Sequence, residues 1–146
     1  MENAVLNQIK YLFEEKGIRY YSDDSERIGA KFSDFVLMFH VTEEALSFKM
    51  YLEEKASAQC RPDVLEYLNY ANQIMKEGHF ILDNEGDIYF IIYTERSTDS
   101  YISDGRIMDI LTKGYSANEM FHEELKTVIA GTATPLDAIR NTISNR

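Results

Sequence analysis

Apolar positions change their period several times along the chain, and each change marks an element. Val5, Ile9, Leu12 and Phe13 recur at helical spacing and Gly17 follows, which predicts a first helix ending in a left-handed turn. From Ile18 to Glu54 the period falls to two. Leu46, Phe48, Met50 and Leu52 alternate with Ser47, Lys49, Tyr51 and Glu53, the signature of a strand with one wet face. The run VLMFHVT at 36–42 predicts another strand, and RIGAKFSDF a further extended piece. Together they read as a meander of two or three antiparallel strands.

Helical spacing returns after Pro62, which sits where a first turn tolerates proline, and Gly78 closes that second helical segment. Beyond it, HFILDNEGDIYFIIYTE holds two apolar runs around DNEG, where Asp or Asn starts a turn and Gly takes a positive φ. The stretch predicts a hairpin. In its longer strand Ile88, Phe90 and Ile92 point one way and Tyr89, Ile91 and Tyr93 the other, so both faces need a cover beyond one helix layer. Ser103 can cap a third helix through DGRIMDILTKG. Ser116 and Glu119 have the spacing of a capping box, so that helix is expected to be kinked or in two parts. Thr134 and Pro135 start a short last helix. Strands clustered between helices, without regular alternation, indicate a single α+β domain over 1–146: an antiparallel sheet of about five strands interrupted by a central helix.

Two asparagines interrupt the second helix. At 100° per residue Val64, Leu65, Leu68, Ala71 and Met75 share one face, Asn72 falls inside it, and Asn69 lies at its edge. A buried amide without partners costs about 1–3 kcal/mol, so Asn72 is expected to bond the backbone of a neighbouring strand or loop. Both residues are read as structural polar groups. The alternative is a small-molecule sensor or enzyme with a pocket near them.

Composition narrows the function classes. Of 146 residues 45% are hydrophobic and 27% charged, as in ordinary globular domains, and no apolar run approaches the roughly 20 residues of a membrane span. The first seventeen residues lack the basic leader and apolar stretch of a signal peptide, which makes the cytoplasm the default compartment. A formal charge of −10 repels phosphate backbones and anionic membranes, so neither nucleic acid nor membrane is an expected partner. A basic or apolar polypeptide suits that charge better. The single cysteine, Cys60, has no second thiol and reads as a small core residue.

Candidate chemistry is sparse. His40, His79 and His122 lie in different elements without zinc spacing, and DNEGD lacks the length and distal glutamate of a calcium loop. Neither a metal nor another cofactor is expected. No nucleophile elbow, phosphate loop or dinucleotide fingerprint occurs. What stands out is the tyrosine content, ten residues, whose amphipathic rings suit a surface that is covered part of the time.

The runs RPDVLEYLNYANQ at 61–73, FILDNEGDIYF at 80–90 and VIAGTATPLDAI at 128–139 resemble the YbjN family, a bacterial group labelled as sensory transduction regulators. The similarity extends from the first helix to Ile139. It implies a fold like the type III secretion chaperones: a helix, an antiparallel sheet interrupted by a second helix, and a C-terminal helix. Such proteins are small, acidic and often dimeric, and they bind unfolded segments of clients. With the charge and the aromatic strands, this makes the expectation a non-enzymatic protein-binding module with a protein or peptide client as its partner, assembled as a homodimer. Its candidate partner-binding residues are Tyr51, Tyr89, Ile91 and Tyr93.

Overall fold

The computed structural model describes residues 3–22, 24–32, 35–96 and 101–145. Its order is α1 (Ala4–Glu15), β1 (Tyr20–Tyr21), β2 (Arg27–Phe32), β3 (Phe35–Val41), β4 (Ala45–Lys55), α2 (Arg61–Ile74), β5 (His79–Leu82), β6 (Asp87–Glu95), α3 (Asp104–Ala130) and α4 (Pro135–Ser144). The α+β class and the sheet interrupted by a central helix are as expected from the sequence. Strand number differs: the sheet has six antiparallel strands in the order β1-β2-β3-β4-β6-β5. The additional strand is the two-residue β1, too short for an alternation to register. In the expected extended piece 27–35, positions 33 and 34 lie outside the described residues.

Helices α1, α2 and α3 pack against the sheet, and α4 packs on α2 and α3. Phe13 of α1 meets Phe39 of β3 with ring centroids 6.2 Å apart, and Phe121 of α3 meets Phe80 of β5 at 5.6 Å. Phe39, Phe48 and Phe90, from three adjacent strands, are almost fully buried beneath them. Burial of each such ring stabilises the fold by about 1.5–3 kcal/mol, so these rings contribute substantially to the contact between the layers. Tyr67 of α2, wholly buried, carries its hydroxyl to the carbonyl of Phe121 at 3.2 Å and to Thr142 Oγ1 of α4 at 2.9 Å. Burial pushes that phenol up to about 12.

The helix boundaries follow their caps. Asn3, Ser103 and Thr134 each accept a backbone N–H in the first turn of α1, α3 and α4. Contrary to expectation, α3 runs unbroken for 27 residues through Ser116. Ser116 is exposed there, and Gly114, a weak helix former, seats α3 directly on the sheet. A Cβ at Gly114 would come within 2.7 Å of the Phe48 ring, so packing outweighs the local stop signal.

Other expectations also change. Cys60 is half-buried at the N-cap of α2, its thiol facing the carbonyl of Ser57, so it packs against the edge of the core and not within it. Helix α2 ends at Ile74, before Gly78, and turns Tyr67 inward while Leu65 is 44% exposed. The hydrophobic arc is therefore rotated from the one read by spacing alone, because α4 covers the Tyr67 side.

Candidate functional site

The second face of the sheet carries no helix among the described residues. Burial alternates strictly along β3 and β6: Phe35, Leu37, Phe39 and Val41 lie under the helices, while Val36, Met38 and His40 face away. Antiparallel register then fixes rows across the open face. Lys31, Val36, Tyr51, Tyr89 and Ile81 form one row; Gly29, Met38, Lys49, Ile91 and His79 the next; Arg27, His40, Ser47 and Tyr93 a third. Thus all four candidate partner-binding residues, Tyr51, Tyr89, Ile91 and Tyr93, come to one surface.

Its centre is aromatic and cationic. The rings of Tyr51 and Tyr89 lie 5.2 Å apart, and Lys49 Nζ stands 5.1 Å from the Tyr89 ring centroid. Partial burial raises the Tyr51 phenol, with Tyr89, Asp83 and Asp87 adding to the effect. Tyr93 is 59% exposed, the most open of the four. At the far edge Tyr21 lies over Gly29, where a Cβ would meet its ring at 2.5 Å. Arg19, Tyr20, Tyr21 and Lys31 surround a shallow hollow of about 380 Å³ beside it.

Carboxylates on this side keep to the ends of strands. Asp87 pairs with Lys55 at 3.2 Å, Asp24 with Arg27 at 3.0 Å, and Glu26 approaches His40 at 3.8 Å. Between Tyr51 and Lys55 the register with β6 shifts, while Glu54, in step with Phe48, Met50 and Leu52, points towards the helices. There its Oε2 meets His122 Nδ1 at 3.1 Å, with both side chains largely buried.

Asn72 and Asn69 are not part of that face. Asn72 is half-buried: Nδ2 donates to the Phe80 carbonyl at 3.2 Å and Oδ1 accepts the Phe80 N–H at 2.7 Å, fastening α2 to the outer edge of β5. Asn69 is exposed. A separate apolar cleft of about 520 Å³ lies between α3 and the sheet on the helix side, lined by Ile18, Leu37, Met50, Met108, Leu111, Thr112 and Tyr115. It includes neither asparagine. Among the described residues no group of three His, Cys, Asp or Glu side chains is placed to hold a metal ion, and no helix is long and apolar enough to cross a membrane.

The sequence model of the YbjN family, described as "Putative bacterial sensory transduction regulator", matches residues 6–127. The chain belongs to the YbjN family. That family is described by a regulatory role and not by a reaction. No curated protein matches the chain. Among solved structures it is similar to YbjN from E. coli, "a putative transcription regulator", at 6% identity and a TM-score of 0.58, covering 87% of this chain and 90% of that one. It is similar also to an uncharacterized protein from Methanothermobacter thermautotrophicus, at 14% identity and a TM-score of 0.57, covering 84% and 97%. At such identities these two likenesses concern the fold alone. Within this YbjN fold, the open face also gathers Arg19, Tyr21, Lys31, Val36, Met38 and Lys49, which sequence reasoning did not single out. Their signal was the period-two alternation of VLMFHVT, which assigns Val36 and Met38 to the side opposite the core.

Proposed function

We propose that this YbjN-family chain is a non-enzymatic regulatory module of the cytoplasm that binds a partner polypeptide through the open face of its sheet. The observation that carries the reading is the continuous half-exposed patch of Tyr51, Tyr89, Ile91 and Tyr93, over which no helix of the described residues lies. Tyrosines with one polar end are the side chains that interface centres favour, because they bury ring area without stranding a polar group. Scattered apolar residues are ordinary on a protein surface, whereas four on two adjacent strands form a patch that a partner can dehydrate in one step. Asn72 already commits both ends of its amide to Phe80, which is why a polypeptide surface is preferred to a small-molecule pocket at that helix.

The test is affinity capture from lysate of the native host with the intact chain, beside Tyr93→Ala and the double variant Tyr89→Ala/Tyr93→Ala. Light scattering on the eluates gives the stoichiometry. The expected result is a stoichiometric polypeptide retained by the native chain and lost from the double variant. Equal retention by both would move the docking surface elsewhere. A homodimer that the same substitutions dissolve would make a second copy the occupant.

A further inference from the structure

The three central rows of the open face carry Arg27, Lys31 and Lys49 and no carboxylate, acidic side chains such as Glu26, Asp87 and Glu95 keeping to the strand ends, although the molecule as a whole is acidic. The chain carries −10 overall, yet Lys49 stands in the middle row of this face and Lys31 at the end of the next. Arg19 borders the same hollow as Lys31. Lys49 is held over the Tyr89 ring, so its charge sits within the apolar patch and not beyond it. By contrast the helix layer exposes Glu14, Glu15, Asp63, Glu66, Glu119, Glu123 and Asp137. We infer that the occupant of the open face is an acidic, apolar polypeptide segment whose carboxylates meet Lys31 and Lys49 while an apolar side chain between them lies over Val36 and Met38 of β3. This rests on the reading of the face as a polypeptide surface and adds the chemistry of the partner.

Geometry sets the spacing. Lys49 is two strands and one two-residue step away from Lys31, about 12 Å at ordinary sheet dimensions. An extended chain advances about 3.3 Å per residue, so carboxylates at positions i and i+4 span about 13 Å on one side with position i+2 between them. A basic segment would place its cations against Lys31 and Lys49, and like charges in contact oppose association. Nucleic acid would satisfy the two lysines, but its dense phosphate charge would face the net −10 of the whole molecule.

The experiment uses the full chain and three labelled twelve-residue peptides, followed by fluorescence anisotropy at low and high salt. One peptide carries Glu at i and i+4 about a Phe at i+2; the others carry Gln or Lys in place of Glu. The expected result is that the Glu peptide binds at least tenfold tighter than either, weakens with salt, and loses at least tenfold to Lys31→Glu/Lys49→Glu. Lys126→Glu on α3, away from the face, should leave binding unchanged. Lys31→Gln/Lys49→Gln, which adds no repulsion, keeps the test open if the reversal unfolds the chain; circular dichroism checks each variant. Equal or tighter binding of the Lys or Gln peptide, or indifference to the lysine substitutions, overturns the acidic assignment and leaves the polypeptide reading standing. So does failure of all three peptides while capture still depends on Tyr89 and Tyr93. Loss of that dependence sinks the polypeptide reading itself. Tighter binding of a single-stranded oligonucleotide at the same lysines would replace the acidic polypeptide with nucleic acid.

Discussion

Replacing Asn72 with alanine removes two hydrogen bonds at once and strands both backbone groups of Phe80 on the outer edge of β5. The N–H loses its acceptor at 2.7 Å and the carbonyl its donor at 3.2 Å. Each net bond is worth about 0.5–1.5 kcal/mol, and half-burial of the site lets water replace part of that. The expected loss is therefore about 2 kcal/mol, or about 6 °C in Tm for a chain of this length at about 3 °C per kcal/mol. Asn72→Asp discriminates further. At neutral pH its carboxylate still accepts from Phe80 N–H but opposes the Phe80 carbonyl, whereas below about pH 4 the protonated acid can donate to that carbonyl. The deficit relative to the native chain should thus narrow on acidification. Urea and thermal unfolding followed by circular dichroism measure both effects. A Tm within about 1 °C of the native value for Asn72→Ala would refute the idea that this amide locks α2 to the sheet edge.

Three further outcomes follow from the packing and charges. Glu77 accepts from Arg106 at 2.8 Å and from Lys113 at 2.7 Å, which lowers its carboxyl to about 2 from 4.5. Its contribution is present above about pH 4.5 and lost as pH falls towards 2, so Glu77→Gln should flatten stability against pH in that window, by about 1 kcal/mol after solvent screening. Tyr67→Phe removes the hydroxyl shared by Phe121 and Thr142 and should cost about 1–2 kcal/mol by urea titration. Gly114→Val pushes side-chain atoms into Phe48 and Met50, with an expected loss of about 2–3 kcal/mol, read as a lower urea midpoint at unchanged slope.

Much of this architecture is written in local pattern. The Ser103 and Thr134 caps, the positive-φ Gly86 of the β5–β6 turn and the alternation of Ile88, Phe90 and Ile92 all depend on neighbours in sequence, and they read directly. The misread features depend on distant partners. Continuity of α3 is decided by Phe48 pressing on Gly114, and the inward turn of Tyr67 by α4, more than sixty residues later. For the open face, alternation placed Tyr51, Tyr89, Ile91 and Tyr93 on one side of their strands. It also set Lys49 beside Tyr51, but it could not reveal that Lys31 would join them, because that requires the register of β2 with β3 and of β3 with β4. Net charge therefore suggested a basic or apolar client, while the lysines of the open face underlie the proposed acidic one.

On the proposed reading the open sheet face, and not the helix layer, contacts the partner. Site-specific photo-crosslinking tests it most directly, with a photoreactive phenylalanine analogue at position 93 on β6 or at position 11, an exposed tyrosine site on α1. Under native-host lysate conditions, the account predicts one polypeptide adduct through position 93 and none through position 11. An adduct through position 11, with none through 93 while the complex stays intact, would contradict it.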